Sequence, residues 1–272
     1  MTLSDATVMT TPKLQYCGVS KVFFKGDERV HALQRVSASV AAGELLAIVG
    51  PSGCGKSTLL NLTAGLMQPG LGEVLYDGRA ITSVNTRVAY ITQKDNLLPW
   101  RTVEANIALP FELGDRLRVA KEEKRERIAR YIELVGLTGF ERHYPHELSG
   151  GMRKRVSLAR SLICEPDVLL MDEPFGALDA QLKLVLQAEL LKTWEGSGKT
   201  LVFVTHDLAE AITLADRVIV MSARPGTIRT VQAIELSRPR DVLGVRFTSE
   251  FGGYFERLWA TLSEDMHDGE EL

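Results

Sequence analysis

Between an apolar pentapeptide, residues 45–49, and a helical pattern that opens at Thr58 stands the octapeptide Gly50-Pro51-Ser52-Gly53-Cys54-Gly55-Lys56-Ser57. Its spacing, G-x-x-x-x-G-K-S/T in a strand-to-helix context, implies a sheet covered by helices with an anion held at the turn. Glycines let the backbone curl so that successive N–H groups converge on phosphate oxygens, and the dipole of the following helix adds to the attraction. Lys56 supplies a point charge for the β- and γ-phosphates, and the Ser57 hydroxyl is a hard oxygen for Mg²⁺. Cys54 reads as a small spacer in this turn. A thiol partly activated by the helix end and Lys56 is the alternative.

The rest of the chain alternates short apolar runs with helical stretches, the signature of an α/β core. Strands are predicted over residues 13–24, 30–40, 45–49, 74–76, 88–92, 168–172, 201–205 and 218–221, with a helix over 58–66. From about residue 96 to 165 the period is helical and the charge dense, as in residues 121–130, where Glu122 and Glu126 face Arg130. That spacing describes a solvated helix face, so a helical insertion interrupts the core. One domain is expected over residues 13–235, with its core at 13–95 and 166–235 and the helical part at about 96–165. Residues 236–272 follow as a linker at Arg238-Pro239-Arg240, an amphipathic helix and an acidic end fraying beyond Glu264. Phe251, Phe255, Leu258, Trp259 and Leu262 mark one face of that helix. It is expected to pack on its own domain, a partner groove being the alternative.

Several classes are excluded. The 272 residues are 45% apolar and 25% charged, which supports a real core and rules out disorder through most of the chain. A net charge of −3 supplies no global field for nucleic acid or lipid, and no nucleic-acid partner is expected. The apolar runs fall far short of the roughly 18 residues that cross a bilayer. The first dozen residues lack a basic start and an apolar run, so no secretory signal is expected. Cys17, Cys54 and Cys164 have no metal-ligand spacing and fit a reducing compartment.

A second constellation completes the phosphate loop. The apolar run 168–171 ends in Asp172-Glu173, which places Asp172 at the carboxyl edge of the sheet, where it supports Mg²⁺ through water. Glu173 follows as a general base for an attacking water. Together these residues imply a Mg²⁺-dependent nucleoside triphosphatase. Leu148-Ser149-Gly150-Gly151 opens another helix and forms a second anion site. One ATP has one γ-phosphate, so this second helix end is expected to serve the nucleotide on another subunit, a Ser N-cap with glycines for close packing being the alternative.

The set Gly50 to Thr58, Gln93, Leu148-Ser149-Gly150-Gly151, Asp172-Glu173, Ala177-Leu178-Asp179 and His206 resembles the ATP-binding subunits of ABC transporters over about residues 13–235. The resemblance implies a P-loop NTPase core with an antiparallel β-subdomain and an inserted α-helical subdomain. It implies two copies closed head to tail around two ATP molecules. Lys56, Ser57 and Thr58 then bind the phosphates and Mg²⁺ of one ATP, while Ser149, Gly150 and Gly151 close over it from the other chain. Gln93 matches the lid glutamine that touches Mg²⁺ and the attacking water. His206 matches the switch histidine at the γ-phosphate, and Asp179 the loop aspartate that communicates across the dimer. Phe23 is expected to stack on adenine, with Phe24 the alternative. Met152 and Arg153 stand where many members have glutamines.

Because the chain ends soon after the core, an importer built from separate polypeptides is expected, peripheral at the cytoplasmic face of the membrane. Residues 97–100, Leu97-Leu98-Pro99-Trp100, form an apolar cluster just past Gln93. The resemblance implies that an integral-membrane permease docks a short helix there, while the core of the helical part competes for the same side chains. This stretch and the tail after Ser237 resemble the nitrate/sulfonate/taurine branch of importers, which an extracytoplasmic solute-binding protein feeds. An exporter subunit or a non-transport ABC ATPase is the alternative.

Overall fold

The computed structural model describes residues 11–113, 119–176 and 178–268. Its first half runs β1 (Leu14–Lys25), β2 (Glu28–Val40), β3 (Leu45–Val49), α1 (Lys56–Thr63), β4 (Leu71–Tyr76), β5 (Arg79–Ala80) and β6 (Val88–Ile91). The helical part follows as α2 (Val103–Ala108), α3 (Pro110–Leu113), α4 (Lys121–Leu134) and α5 (Gly150–Leu162). Then come β7 (Val168–Asp172), α6 (Ala180–Trp194), β8 (Thr200–Val204), α7 (Leu208–Leu214), β9 (Arg217–Met221), β10 (Ile228–Ala233) and α8 (Ser249–Asp268). One sheet has the order β2-β1-β4-β5 with antiparallel pairs; the other has the order β10-β9-β3-β8-β7-β6. In the second sheet β3, β6, β7, β8 and β9 pair in parallel and β10 adds an antiparallel edge.

Every residue of β3, β7 and β8 is buried, as expected where both faces of a parallel sheet are covered. Successive side chains divide between the two faces. Leu45, Ala47, Val49, Leu169, Met171, Leu201 and Phe203 join the core beneath the helices. Leu46, Ile48, Val168, Leu170, Val202 and Val204 join a second core with α1 and the antiparallel sheet. The strand ends are level, since Asp172 lies beside Val204 and Ile48 beside Val204 in the neighbouring pair. A crevice at this carboxyl edge is where such sheets bind ligands.

Polar side chains start four of the helices. Thr102 caps α2, Ser149 α5, Asp179 α6 and Asp207 α7, each accepting a backbone N–H of the first turn. In the helical part, the buried Asn106 amide donates to the carbonyls of Leu98, Arg101 and Thr102, and its oxygen accepts the Leu98 N–H. That network fixes the stretch after Gln93. The charged face of α4 carries the pair Glu123–Arg127 at 2.7 Å rather than one centred on Arg130.

Some expectations are corrected. Helix α1 starts at Lys56, two residues before Thr58, because Gly55 serves as its cap at φ +104°. Likewise α5 includes Gly150 and Gly151, because the Ser149 hydroxyl secures the first turn through the Met152 N–H at 3.2 Å. Arg238-Pro239-Arg240 is no linker. Arg240 is buried and donates to the carbonyls of Ile212, Thr213, Ala215 and Ile234, while Arg238 pairs with Asp216 and Glu195. These contacts clasp the last turn of α7. Helix α8 continues past Glu264 to Asp268. Phe251 and Leu258 are buried against the core, as expected of own-domain packing, but Trp259 stays 53% exposed.

Candidate active site

The phosphate loop leaves β3 and enters α1 with its backbone held open. Gly55 has no room for a Cβ, which would lie 2.7 Å from the Ala32 carbonyl and from Leu33. The Lys56 side chain folds back into the loop and is buried. Its ammonium donates to the carbonyls of Gly50 at 2.7 Å and Pro51 at 2.8 Å. Arg224 donates twice to the Gly53 carbonyl at 3.2 Å, a contact that no sequence motif announces. Cys54 is buried, and burial pushes its thiol above the usual range despite Lys56 nearby. Burial thus favours the spacer reading over an activated thiol.

The carboxylate pair lies at the end of β7. Asp172 is buried, and burial pushes its carboxyl above the ordinary carboxylate range. The Ser57 hydroxyl beside it acts the other way, Glu173 adds to the rise, and Lys154 and Lys56 oppose it. Glu173 donates its N–H to the Val204 carbonyl at 3.0 Å and sits in the left-handed region at φ +47°. For a residue with a Cβ this costs about 1–3 kcal/mol and persists where surrounding bonds over-determine it.

That backbone turn aims the Glu173 side chain between two others. Its Oε2 accepts from the Gln93 amide at 3.2 Å, and its Oε1 lies 3.4 Å from Nδ1 of His206. Gln93 follows β6, Glu173 follows β7 and His206 follows β8, so three strand ends supply one cluster. After His206, Asp207 pairs with Lys183 at 2.7 Å, and Thr205 bonds the buried Glu210.

Other expected residues stand apart. Ser149, Gly150 and Gly151 form the start of α5, and among the described residues no hydrogen bond joins them to the phosphate loop. Asp179 accepts the Leu182 N–H at 2.9 Å as the cap of α6; Ala177 lies outside the described residues. Phe23 and Phe24 lie near the end of β1, before Lys25, with 38% and 70% of their surfaces exposed. Phe23 pairs with Val30 of β2, and the Lys21 ammonium lies 5.7 Å from the centre of its ring. Lys154 was not singled out by the sequence, yet its ammonium lies buried under Gln93.

The residues present fit a magnesium–nucleotide pair. Ser57, Asp172 and Gln93 offer hard oxygens, and no group of three or more His, Cys, Asp or Glu able to hold a metal occurs among the described residues. Mg²⁺ retains waters and takes one or two protein ligands plus substrate phosphates, so a full protein cage is not required.

Comparison with known proteins gives the family. The sequence profile of the ABC transporter family matches residues 33–176. An uncharacterized ABC transporter ATP-binding protein of Methanocaldococcus jannaschii is 45% identical over 254 residues, 93% of this chain and 92% of that protein. The aliphatic sulfonates import ATP-binding protein SsuB of Bacillus anthracis is 45% identical over 223 residues, 82% of this chain and 86% of its own length. Among solved structures, a dimeric bacterial ABC transporter cassette superposes with a TM-score of 0.76 at 32% identity, over 82% of this chain and 100% of that one. A post-hydrolysis dimer of an ATP-binding cassette with ADP and Pi does so with a TM-score of 0.75, at the same identity and coverage. From the phosphate loop through the Asp172-Glu173 edge, the chain belongs to the ABC transporter family as one of its ATP-binding cassette ATPases.

Proposed function

We propose that this chain is the ATP-hydrolysing subunit of an ABC importer, acting as two copies closed head to tail around two ATP molecules. The observation that carries the reading is the convergence of Gln93 and His206 on Glu173 beside the phosphate loop. Glu173 takes a proton from the attacking water as general base. Gln93 and His206 hold its two oxygens, so that the carboxylate is oriented before nucleotide arrives. Lys56 exchanges the neutral carbonyls of Gly50 and Pro51 for β- and γ-phosphate oxygens, which as anions make the stronger hydrogen bonds. Ser57, Thr58 and the loop amides take the remaining phosphate oxygens, and Phe23 stacks on adenine. Ser57, Asp172 and Gln93 are the residues that would hold Mg²⁺, which when bound would supply positive charge against the phosphates. Ser149, Gly150, Gly151 and Asp179 complete the pocket from the other chain.

The permease partner is supported by a second surface. A groove of about 590 Å³ opens between the edge strand β6, helix α3 and the C-terminal end of α5, with Tyr90, Leu109, Pro110, Leu113, Arg160 and Ser161 among its lining residues. Leu97 is drawn into the main core, whereas Trp100 remains 71% exposed. No helix among the described residues is long and apolar enough to cross a membrane. The sulfonate importers among the relatives support a nitrate/sulfonate/taurine-type solute, delivered by an extracytoplasmic solute-binding protein to a permease that this subunit serves from the cytoplasmic face.

Co-purification with the permease and binding protein, followed by ATPase assays over a panel of small oxyanions, tests the reading. A sulfonate-type solute should raise hydrolysis, and Glu173→Gln should lower it by about 10²- to 10⁴-fold. Unchanged turnover in that variant would remove Glu173 from the mechanism.

A further inference from the structure

We infer that Lys154 is a positioning residue for hydrolysis, locking the Gln93 amide onto Glu173 and tying it to the helix that Ser149 caps. The inference rests on the reading of Glu173 as general base.

Lys154 is only 6% exposed, and its ammonium donates to the carbonyls of Thr92 at 2.8 Å and Gln93 at 3.1 Å. A buried ammonium is costly unless its hydrogen bonds are supplied. Here two backbone carbonyls of one loop supply them, so the position of that loop and the position of the ammonium are one variable. Asp172, Asp95 and Glu173 help to keep the group charged against the pull of burial.

Two further cations of the same helix bind the same loop. Arg160 donates to the carbonyls of Asp95 at 2.9 Å and Asn96 at 3.0 Å. Arg153 pairs with the Asp95 carboxylate at 3.0 Å and donates to the Leu148 carbonyl at 2.8 Å. The loop is also closed on itself, since Asn96 donates to the Thr92 hydroxyl and that hydroxyl to the Lys94 carbonyl, each at 2.7 Å. Residues 92–96 are thus fastened along α5, at whose N-terminus stand Ser149, Gly150 and Gly151.

The consequence is mechanical. A displacement of α5, driven by whatever meets Ser149, carries the backbone of Gln93 with it and changes how its amide meets Glu173. The lip that one chain offers to its partner's nucleotide is therefore coupled to the base in that chain's own site. Such a coupling has a physical warrant only if one element is biased from both ends, and α5 with its fastened loop is that element.

The test compares kcat and KM for ATP in full-length Lys154→Met, Lys154→Gln, Lys154→Arg, Gln93→Ala and Lys154→Met/Gln93→Ala. Methionine approximates the volume without the charge, and glutamine retains a donor, so a folding defect in one leaves the other informative. Both should lower kcat by about 10- to 100-fold, the cost of a small misplacement of a reacting group, with KM for ATP within about twofold. Lys154→Arg, which keeps charge and donors, should stay within about threefold of the parent. The double variant should fall no more than about twofold below Gln93→Ala alone, because both substitutions act on one contact. Parental kcat in the methionine and glutamine variants, or losses that multiply in the double variant, would overturn the inference. Failure of the underlying reading looks different, because then Glu173→Gln itself retains turnover.

Discussion

The amide of Gln93 meets the carboxylate of Glu173 at 3.2 Å, although the two residues lie 80 positions apart and on loops after different strands. What joins them is sheet register. β6 and β7 run parallel with Ile91 beside Met171, so the residues just beyond each strand emerge on the same edge. His206 reaches the other oxygen of Glu173 by the same logic from β8.

Lys56 illustrates what the nucleotide must displace. Its ammonium is satisfied within the loop by the carbonyls of Gly50 and Pro51. Lys56→Met should leave the fold intact and weaken ATP binding by about 10- to 100-fold, the equivalent of losing a charge-assisted hydrogen bond. Titration with a fluorescent ATP analogue measures this, and parental affinity would contradict it.

Gly55 carries a backbone requirement. At φ +104°, with a Cβ site 2.7 Å from the Ala32 carbonyl and Leu33, alanine meets both strain and a clash. Gly55→Ala should cost about 1–3 kcal/mol of stability. A urea midpoint that does not move would show that the loop relaxes freely.

How much of this could be read in the sequence depended on whether a residue's role follows from its neighbours in the chain. The phosphate loop and the Asp172-Glu173 edge did, because strand, turn and helix are contiguous there, and the structure brings Gln93 and His206 to Glu173. Lys154 and Arg160 did not. A basic residue at helical spacing reads as a solvated face, and only the fold discloses that carbonyls of residues 92–96 wait beside them. Arg240 was obscured for the same reason, its partners being the carbonyl ends of α7. Strand β10 was missed because residues 228–233 alternate between half-buried and exposed on an edge and make no apolar run. The width of an apolar helix face is also invisible in one dimension, so Leu258 is buried in the core while Trp259 beside it stays half exposed, stacked on Phe255.

Asp207, next to His206, carries a pH dependence. Burial pushes its carboxyl up, but the hydrogen bond and charge of Lys183, with the N–H groups of Glu210 and Ala209, bring it below the usual carboxylate value. A folded value below the unfolded one stabilises the protein above the unfolded value, about pH 4, and that contribution is lost as pH falls through the folded value. Asp207→Asn keeps a cap acceptor for α7 and removes the charge. Its stability deficit in urea should be largest near neutrality and shrink as the pH drops below about 4. A deficit independent of pH would mean that the ion pair contributes nothing.

The central claim is a pocket built from two chains, with the phosphate loop on one side and the partner's Ser149, Gly150 and Gly151 on the other. The most direct measurement is the molar mass in solution of Glu173→Gln, by light scattering, with and without ATP and Mg²⁺. The account predicts two chains with nucleotide and one without it, and a return to one chain when Ser149→Phe is added to block the lip. A single-chain mass at saturating ATP and Mg²⁺ would contradict it.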